Sequence, residues 1–169
     1  MTDPYQITFN SWNEVAQLYE DRFMDLELYN DSYDEFCDRI RNPDAAILEI
    51  GCGPGNITKY LLSKRPDYKI LAIDVSENMI RLAEANNPKA DFQIMDCRNI
   101  DQINQNFDGI MCGFCIPYLK LEDCMKLVHD SCNKLKPGGI LYLSFMEGNY
   151  DHSGFEVGST GKHQMFIYY

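Results

Sequence analysis

A glycine-rich loop separates an apolar run from a helical pattern in residues 46–58, which read Ala-Ile-Leu-Glu-Ile-Gly-Cys-Gly-Pro-Gly-Asn-Ile-Thr. The apolar run is typical of a buried strand, and the pattern after it is typical of a helix. Glycine adopts backbone conformations that are closed to other residues, and it lets a ligand approach the main chain. The spacing of Gly51, Gly53 and Gly55 therefore predicts a turn shaped around a small molecule, with a plain strand-to-helix turn as the alternative.

Strand patterns alternate with helical patterns after this loop. The strand patterns lie at residues 69–74, 91–96, 107–113 and 135–143, and the segments between them have helical periodicity. This alternation predicts a mostly parallel α/β sheet with helices on both faces, joined by right-handed crossovers. Upstream, apolar residues at helical spacing predict two N-terminal helices, the first through Trp12, Tyr19 and Leu26 and the second ending before Pro43.

The composition narrows the class of protein and of partner. A length of 169 residues with 45% hydrophobic residues fits one domain with a buried core. The formal charge of -11 repels phosphate backbones, so we expect no nucleic acid partner. Neither a membrane-spanning run nor a leader pattern is present, and seven scattered cysteines fit reduced thiols. We therefore expect a cytoplasmic protein that does not bind membranes.

The loop that follows Glu49 resembles the first motif of class I S-adenosylmethionine-dependent methyltransferases. A dinucleotide fingerprint would instead place a glycine where Asn56 stands. The resemblance continues in family order through the strand patterns that end in Asp74 and Asp96, then through residues 107–113 and 135–143. It implies a Rossmann-like, doubly wound fold, S-adenosylmethionine as cofactor, and methyl transfer to a small-molecule acceptor. A non-catalytic cofactor-binding domain and an NAD-dependent dehydrogenase are the alternatives, and the glycine spacing argues against the dehydrogenase.

The resemblance also implies which residues surround the cofactor. Glu49 would lie near the methionyl ammonium, Asp74 would accept hydrogen bonds from the ribose hydroxyls, and Asp96 would hold the adenine amine. We expect replacement of Asp74 to weaken binding and hardly to change folding. The complete set of candidate cofactor-binding residues is Tyr19, Glu49, Gly51, Cys52, Gly53, Asp74, Val75, Met79, Asp96, Cys97 and Cys112.

Ordinary structural roles stay open for several candidates. Glu49 could bond loop amides, Asp74 could cap the helix that Ser76 also precedes, and Asp96 could start a turn. Tyr19 and Met79 lie on apolar helix faces, where core packing is an equal alternative. No metal site is predicted, because the pair Cys112 and Cys115 lacks a second ligand pair. No catalytic residue is assigned either, and the bases left open are Tyr118, Glu147 and His152.

The chain divides into three predicted parts of one domain. Residues 1–43 would form a helical cap over the cofactor, residues 44–147 the α/β core, and residues 148–169 a mobile loop with a C-terminal segment. Members of the family usually continue with a helix and a closing hairpin beside the fifth strand, so the chain resembles a truncated form. The fifth strand, around residues 140–145, would then be an open edge through which copies could self-associate.

Overall fold

A five-stranded parallel sheet forms the centre of the computed structural model, which describes residues 3–158, 161 and 163–169. The strands lie in the order β3-β2-β1-β4-β5, and each neighbouring pair is parallel. Their bounds are β1 (Ala46–Ile50), β2 (Lys69–Asp74), β3 (Asp91–Ile94), β4 (Phe107–Cys112) and β5 (Leu135–Leu143). This order confirms the Rossmann-like fold expected from the alternation of strands and helices.

Six α-helices in the described residues cover the sheet. They are α1 (Pro4–Glu14), α2 (Ala16–Phe23), α3 (Asn30–Arg39), α4 (Asn56–Lys64), α5 (Glu77–Asn86) and α6 (Leu121–Lys134). Side chains of β1 alternate between two apolar clusters: Ile47 packs with α3, α4 and α5, whereas Leu48 and Ile50 pack with α6 on the other face. The sheet is therefore buried on both sides, as a parallel sheet requires. None of these helices has the length and apolar character needed to cross a membrane.

The N-terminal segment forms three helices where the sequence predicts two. Asp3 caps α1 by accepting a hydrogen bond from the Tyr5 backbone N–H, and Pro4 occupies the first turn, so this helix begins well before Trp12. The polar residues Thr8 and Ser11 interrupt the apolar stripe of α1, yet both are buried. The helical pattern also breaks at Val15, which separates α1 from α2.

A small hairpin follows the central sheet. Strands β6 (Gly154–Val157) and β7 (Gln164–Ile167) pair antiparallel with each other and form a separate sheet. The Thr8 hydroxyl accepts a hydrogen bond from the Phe166 backbone N–H, and the Ser11 hydroxyl donates to the Gln164 carbonyl. The segment 148–169, predicted as a loop and a C-terminal segment, thus contains a hairpin that packs on α1, and its mobility stays a prediction. In the described residues β5 remains the edge of the central sheet, and self-association through this edge stays a prediction.

The close approach of α3 to β4 fixes the N-terminal helices over the sheet. A Cβ atom at Gly109 would lie 2.3 Å from Ile40 Cδ1 and 2.7 Å from Phe36 Cζ, so only a glycine at this position of β4 admits the two side chains. At the other end of α3, the ring centre of Tyr29 lies 4.8 Å from that of Phe114, just after β4, so the α2–α3 segment lies above the carboxyl end of β4.

Candidate functional site

A cavity of about 270 Å³ lies at the carboxyl ends of β1, β2 and β4, under α1 and α2. The sheet order changes direction between β1 and β4, and ligands of doubly wound sheets bind at this switch point. The lining residues are Thr8, Phe9, Trp12, Tyr19, Gly51, Cys52, Gly53, Asn56, Ile57, Asp74, Val75, Met79, Met95, Cys97, Gly113, Phe114, Cys115, Tyr118 and Leu119.

The glycine loop forms one wall of this cavity. Gly51 and Cys52 donate backbone hydrogen bonds to the Ile73 carbonyl, at 2.8 and 3.0 Å, which fold the loop back over the end of β2. Gly53 has a φ of +53°, and a Cβ atom there would lie 3.8 Å from Tyr19 Cε1 and 4.0 Å from Met79 Sδ. The bare main chain of Gly53 thus leaves space in the cavity that a side chain would fill.

Asp74 joins the glycine loop to the start of α5. Its Oδ2 accepts a hydrogen bond from the Gly53 N–H and its Oδ1 accepts one from the Ser76 N–H, both at 2.9 Å. Burial raises the pKa of Asp74, while the hydrogen bonds from these backbone groups act in the opposite direction. Ser76 is the residue that caps α5, because its hydroxyl accepts from the Met79 N–H. Each carboxylate oxygen of Asp74 retains a lone pair for a further donor.

Aromatic side chains cover the cavity from the N-terminal side. The ring of Trp12 meets the rings of Tyr19 and Tyr118 edge to face, with centroids 5.5 Å apart in each pair. Edge-to-face contacts of this kind add to the stabilisation that burial gives. The three rings come from α1, from α2 and from the turn after β4, so they tie separate elements together over the ligand space.

Asn13 fixes α1 above this space. Its Oδ1 accepts hydrogen bonds from the Ser76 hydroxyl and the Asn78 N–H, both at 2.9 Å, and its carbonyl accepts from Asn78 Nδ2 at 2.8 Å. At the other end of α1, the Tyr5 hydroxyl donates to Asp123 on α6. These bonds place a cover of helical residues over the end of β2.

Eight of the eleven candidate residues predicted from the sequence line the cavity. They are Tyr19, Gly51, Cys52, Gly53, Asp74, Val75, Met79 and Cys97. Five further lining residues were not predicted from the sequence: Thr8, Phe9 and Trp12 from α1, and Asn56 and Ile57 at the start of α4. The remaining lining residues lie after β3 and β4; among them the sequence indicated Gly113 as a strand end and Tyr118 as a possible base, and it offered Cys115 only in the pair rejected as a metal site. The roles of all eleven in binding stay predictions.

Asp96 and Cys112 do not line the cavity. Arg98 Nε lies 3.0 Å from both carboxylate oxygens of Asp96, and the Arg98 backbone N–H donates to the same group. These contacts are the ones expected for the alternative role of Asp96, an acid that starts a turn. The Arg98 guanidinium in turn lies 4.0 Å from the centre of the Tyr5 ring. Cys112 lies within β4 and packs in the apolar cluster on the α6 face. Neither side chain forms part of the cavity wall, and the ligand contacts predicted for Asp96 and Cys112 stay predictions.

Glu49 also lies outside the cavity, beneath the glycine loop. The residue is only 1% exposed, its Oε2 accepts a hydrogen bond from the Thr58 hydroxyl, and its Oε1 has no partner among the described residues. Burial raises the pKa of Glu49 to about 8, although the hydrogen bonds from Thr58 oppose the shift. The Glu49 side chain is not part of the cavity wall, and its predicted place near a methionyl ammonium stays a prediction.

The raised pKa of Glu49 predicts a pH dependence of stability. Between the ordinary value of 4.5 and about 8, the folded chain holds a proton that the unfolded chain has lost. The free energy of unfolding should therefore fall as the pH rises through this interval. In Glu49→Gln, which cannot titrate, this part of the slope should disappear. Urea unfolding across the interval measures it, and equal slopes for the parent and the variant would contradict a buried, protonated Glu49.

Comparison with known proteins gives a methyltransferase match. The profile of the methyltransferase domain family matches residues 47–139. A protein named as a methyltransferase from Invertebrate iridescent virus 6 is 30% identical over 146 residues, which cover 85% of this chain and 52% of that protein. The trans-aconitate 2-methyltransferase of Variovorax paradoxus is 32% identical over 110 residues, covering 64% of this chain and 42% of that enzyme. The chain thus spans only about half the length of these two curated relatives.

A solved structure shares both the fold and part of the sequence. The S-adenosylmethionine-dependent methyltransferase from Clostridium acetobutylicum superimposes with a TM-score of 0.62 at 27% identity. The match covers 77% of this chain and 55% of that one.

Proposed function

This chain belongs to the methyltransferase domain family, and we propose that its cavity binds S-adenosylmethionine for methyl transfer to a small-molecule acceptor. The observation that carries the proposal is the hydrogen bond between the Asp74 carboxylate and the Gly53 N–H, both in the cavity wall. It places a charged acceptor for hydroxyl groups beside a stretch of bare main chain. A ligand with a ribose and a flexible chain, such as this cofactor, fits that pair of features.

The names of similar proteins support the same chemistry. The Clostridium structure is described as an S-adenosylmethionine-dependent methyltransferase, and the Variovorax relative is named for methylation of trans-aconitate, a small molecule. Asn56 argues against an NAD-dependent dehydrogenase, because it occupies the third glycine position of a dinucleotide fingerprint and begins α4 here.

The proposed roles follow from the positions of the side chains. Asp74 accepts hydrogen bonds from the ribose hydroxyls, Val75 and Met79 flank the adenine, and Gly53 lets the main chain approach the ligand. The cofactor supplies an electrophilic methyl group on a sulfonium, so the chain's own work is to align an acceptor in line with that group and to exclude water. The rings of Trp12 and Tyr19 contribute to that exclusion by covering the cavity.

Methyl transfer that relies on positioning needs a general base only if the acceptor arrives protonated. Of the three bases left open by the sequence, Tyr118 lines the cavity, whereas Glu147 and His152 are exposed. Burial raises the pKa of Tyr118, which keeps its hydroxyl protonated and disfavours a role as base. We therefore propose catalysis by positioning alone, with Tyr118 as part of the wall.

S-adenosylhomocysteine should raise the melting temperature of the chain, and NAD should not. A ligand that binds only the folded state stabilises it by about 2.7 kcal/mol at a hundredfold excess over its dissociation constant. Thermal unfolding with each ligand, monitored by circular dichroism, measures the effect. Stabilisation by NAD with no response to S-adenosylhomocysteine would overturn the assignment in favour of the dehydrogenase alternative.

A further inference from the structure

A second cavity of about 200 Å³ adjoins the proposed cofactor site. It lies under the segment that joins α2 to α3, and it shares Tyr19, Asn56 and Phe114 with the first cavity. Its seven lining residues are Tyr19, Phe23, Leu26, Tyr29, Tyr33, Asn56 and Phe114. Because three residues belong to both walls, a molecule in the second cavity would lie next to a ligand in the first.

Phe114 stands at the boundary between the two cavities in an uncommon backbone conformation. Its φ is +61°, a left-handed value that is rare for a bulky residue and that concentrates at functional sites. The Phe114 N–H donates to the Ser144 hydroxyl at 2.8 Å, and its ring centre lies 4.8 Å from that of Tyr29. One contact of the main chain and one of the ring thus hold Phe114 where β4 ends, close to the glycine loop.

The second cavity presents aromatic surfaces and no charged side chain. Five of its seven lining residues are aromatic. The ring centres of Tyr19 and Phe23 are 4.8 Å apart, and those of Tyr29 and Tyr33 are 6.5 Å apart. The faces of such rings attract cations, and the attraction grows when the cation is desolvated. None of the seven side chains offers the positive charge that would pair with an anion.

The surface around the second cavity is strongly acidic. Residues 20–39, which include the end of α2 and all of α3, contain eight acidic and two basic residues. Ion pairs of Asp25 with Lys59 and of Asp34 with Lys64 offset two of these negative charges. The remaining excess leaves a negative field around the opening, and such a field raises the local concentration of cations.

We propose that the second cavity is the acceptor subsite and that it takes a small amine with an aromatic or apolar body. This inference rests on the proposed function, since it needs a methyl donor in the adjoining cavity. The protonated amine is held against the ring faces at the opening of the second cavity, where it gives its proton to solvent water before the reaction. The freed nitrogen lone pair then forms the bond to the methyl carbon as the sulfur–carbon bond breaks, and the electron pair of that bond returns to sulfur.

Three probes of one size test the predicted charge preference. Benzylamine, benzyl alcohol and benzoate share a ring and differ in charge, and their affinities are measured by calorimetry on the chain saturated with S-adenosylhomocysteine. We expect benzylamine to bind at least about fivefold more tightly than benzyl alcohol, since one cation–π contact accounts for about two- to fivefold and several rings are present. Benzoate should bind most weakly. Equal binding of all three probes, or tighter binding of benzoate, would overturn the inference.

Variants then test the location of the amine. Phe23→Leu and Tyr29→Leu each remove one ring and should weaken benzylamine by about two- to fivefold, whereas Tyr29→Phe keeps the ring and should bind like the parent. Phe145→Leu is the matched control, because Phe145 is 71% exposed and lies outside both cavities. Unchanged benzylamine affinity in both leucine variants would show that the amine binds elsewhere.

The affinity for S-adenosylhomocysteine separates the two proposals. If the parent chain binds this ligand but does not prefer benzylamine, the acceptor inference alone fails. If the chain does not bind it at all, the proposed function fails, and benzylamine measured on the ligand-free chain still reports whether the second cavity prefers amines. The leucine variants should keep the parent's affinity for S-adenosylhomocysteine, which also shows that they are folded.

Discussion

Replacement of Gly53 by valine should lower the affinity for S-adenosylhomocysteine by about one to two decades, since overpacking a close contact costs about 1–3 kcal/mol and each 1.4 kcal/mol is tenfold. The Cβ atom would fit at ordinary contact distance from Tyr19 and Met79, but the two methyl groups beyond it would occupy the space proposed for the ligand. The branched side chain would also be strained at a φ of +53°. Isothermal titration of the folded variant measures the loss.

Gly138→Val is the matched control for this prediction. Gly138 also has a positive φ, +78°, but a Cβ atom there would meet nothing within 4 Å. Valine at either position therefore strains the backbone in a similar way, and only valine at Gly53 fills the cavity. Gly138→Val should lose stability and keep the parent's affinity. Equal affinity of the two variants would place the ligand away from the glycine loop.

Replacement of Asp74 by alanine should weaken S-adenosylhomocysteine binding by about one to two decades, because charged hydrogen bonds contribute about 1.5–3 kcal/mol. The same variant should lower the free energy of unfolding by about 1–3 kcal/mol, since the N–H groups of Gly53 and Ser76 lose their acceptor. This second effect differs from the sequence-based expectation of an unchanged fold. Calorimetry for binding and urea unfolding for stability measure the two effects separately.

Asp108→Ala is the control that separates a loss of stability from a loss of binding in Asp74→Ala. Asp108 Oδ2 accepts hydrogen bonds from the Ala46 N–H at 2.8 Å and from Lys136 Nζ at 2.7 Å, at the end of β1 opposite to the cavity. Its removal should also lower stability, but the affinity of the folded molecules should stay at the parent's value. A folded Asp74→Ala chain with unaltered affinity would show that Asp74 only organises the loop.

The central fold could be predicted because its signals are local. Residues 46–58 contain a strand, a glycine turn and a helix start within one segment, and the same periodicities recur through β5. The start of α1 has a local signal in Asp3 and Pro4, but apolar periodicity does not find it, because Thr8 and Ser11 interrupt the apolar stripe. Thr8 and Ser11 are polar residues whose burial depends on hydrogen bonds to β7, more than 150 residues later in the chain. No pattern within α1 reports that partner.

The residues of the candidate site could likewise be predicted only where their signals are local. Gly53, Asp74 and Met79 follow directly from strand ends and helix starts, and the structure brings them together. Trp12 was missed because its place over the cavity depends on the contact of Asn13 with α5, which is not visible in local periodicity. Position at a strand end does not by itself place a side chain in the cavity wall: Asp96 is engaged with Arg98, and Glu49 is buried and accepts a hydrogen bond from Thr58.

The proposed cofactor site is tested most directly by a crystal structure of the chain with S-adenosylhomocysteine. We expect the ribose hydroxyls within hydrogen-bond distance of the Asp74 carboxylate, the adenine beside Val75 and Met79, and the homocysteine chain along the main chain of Gly53. Electron density for the ligand outside this cavity, or a ribose bound without contact to Asp74, would contradict the proposed binding mode.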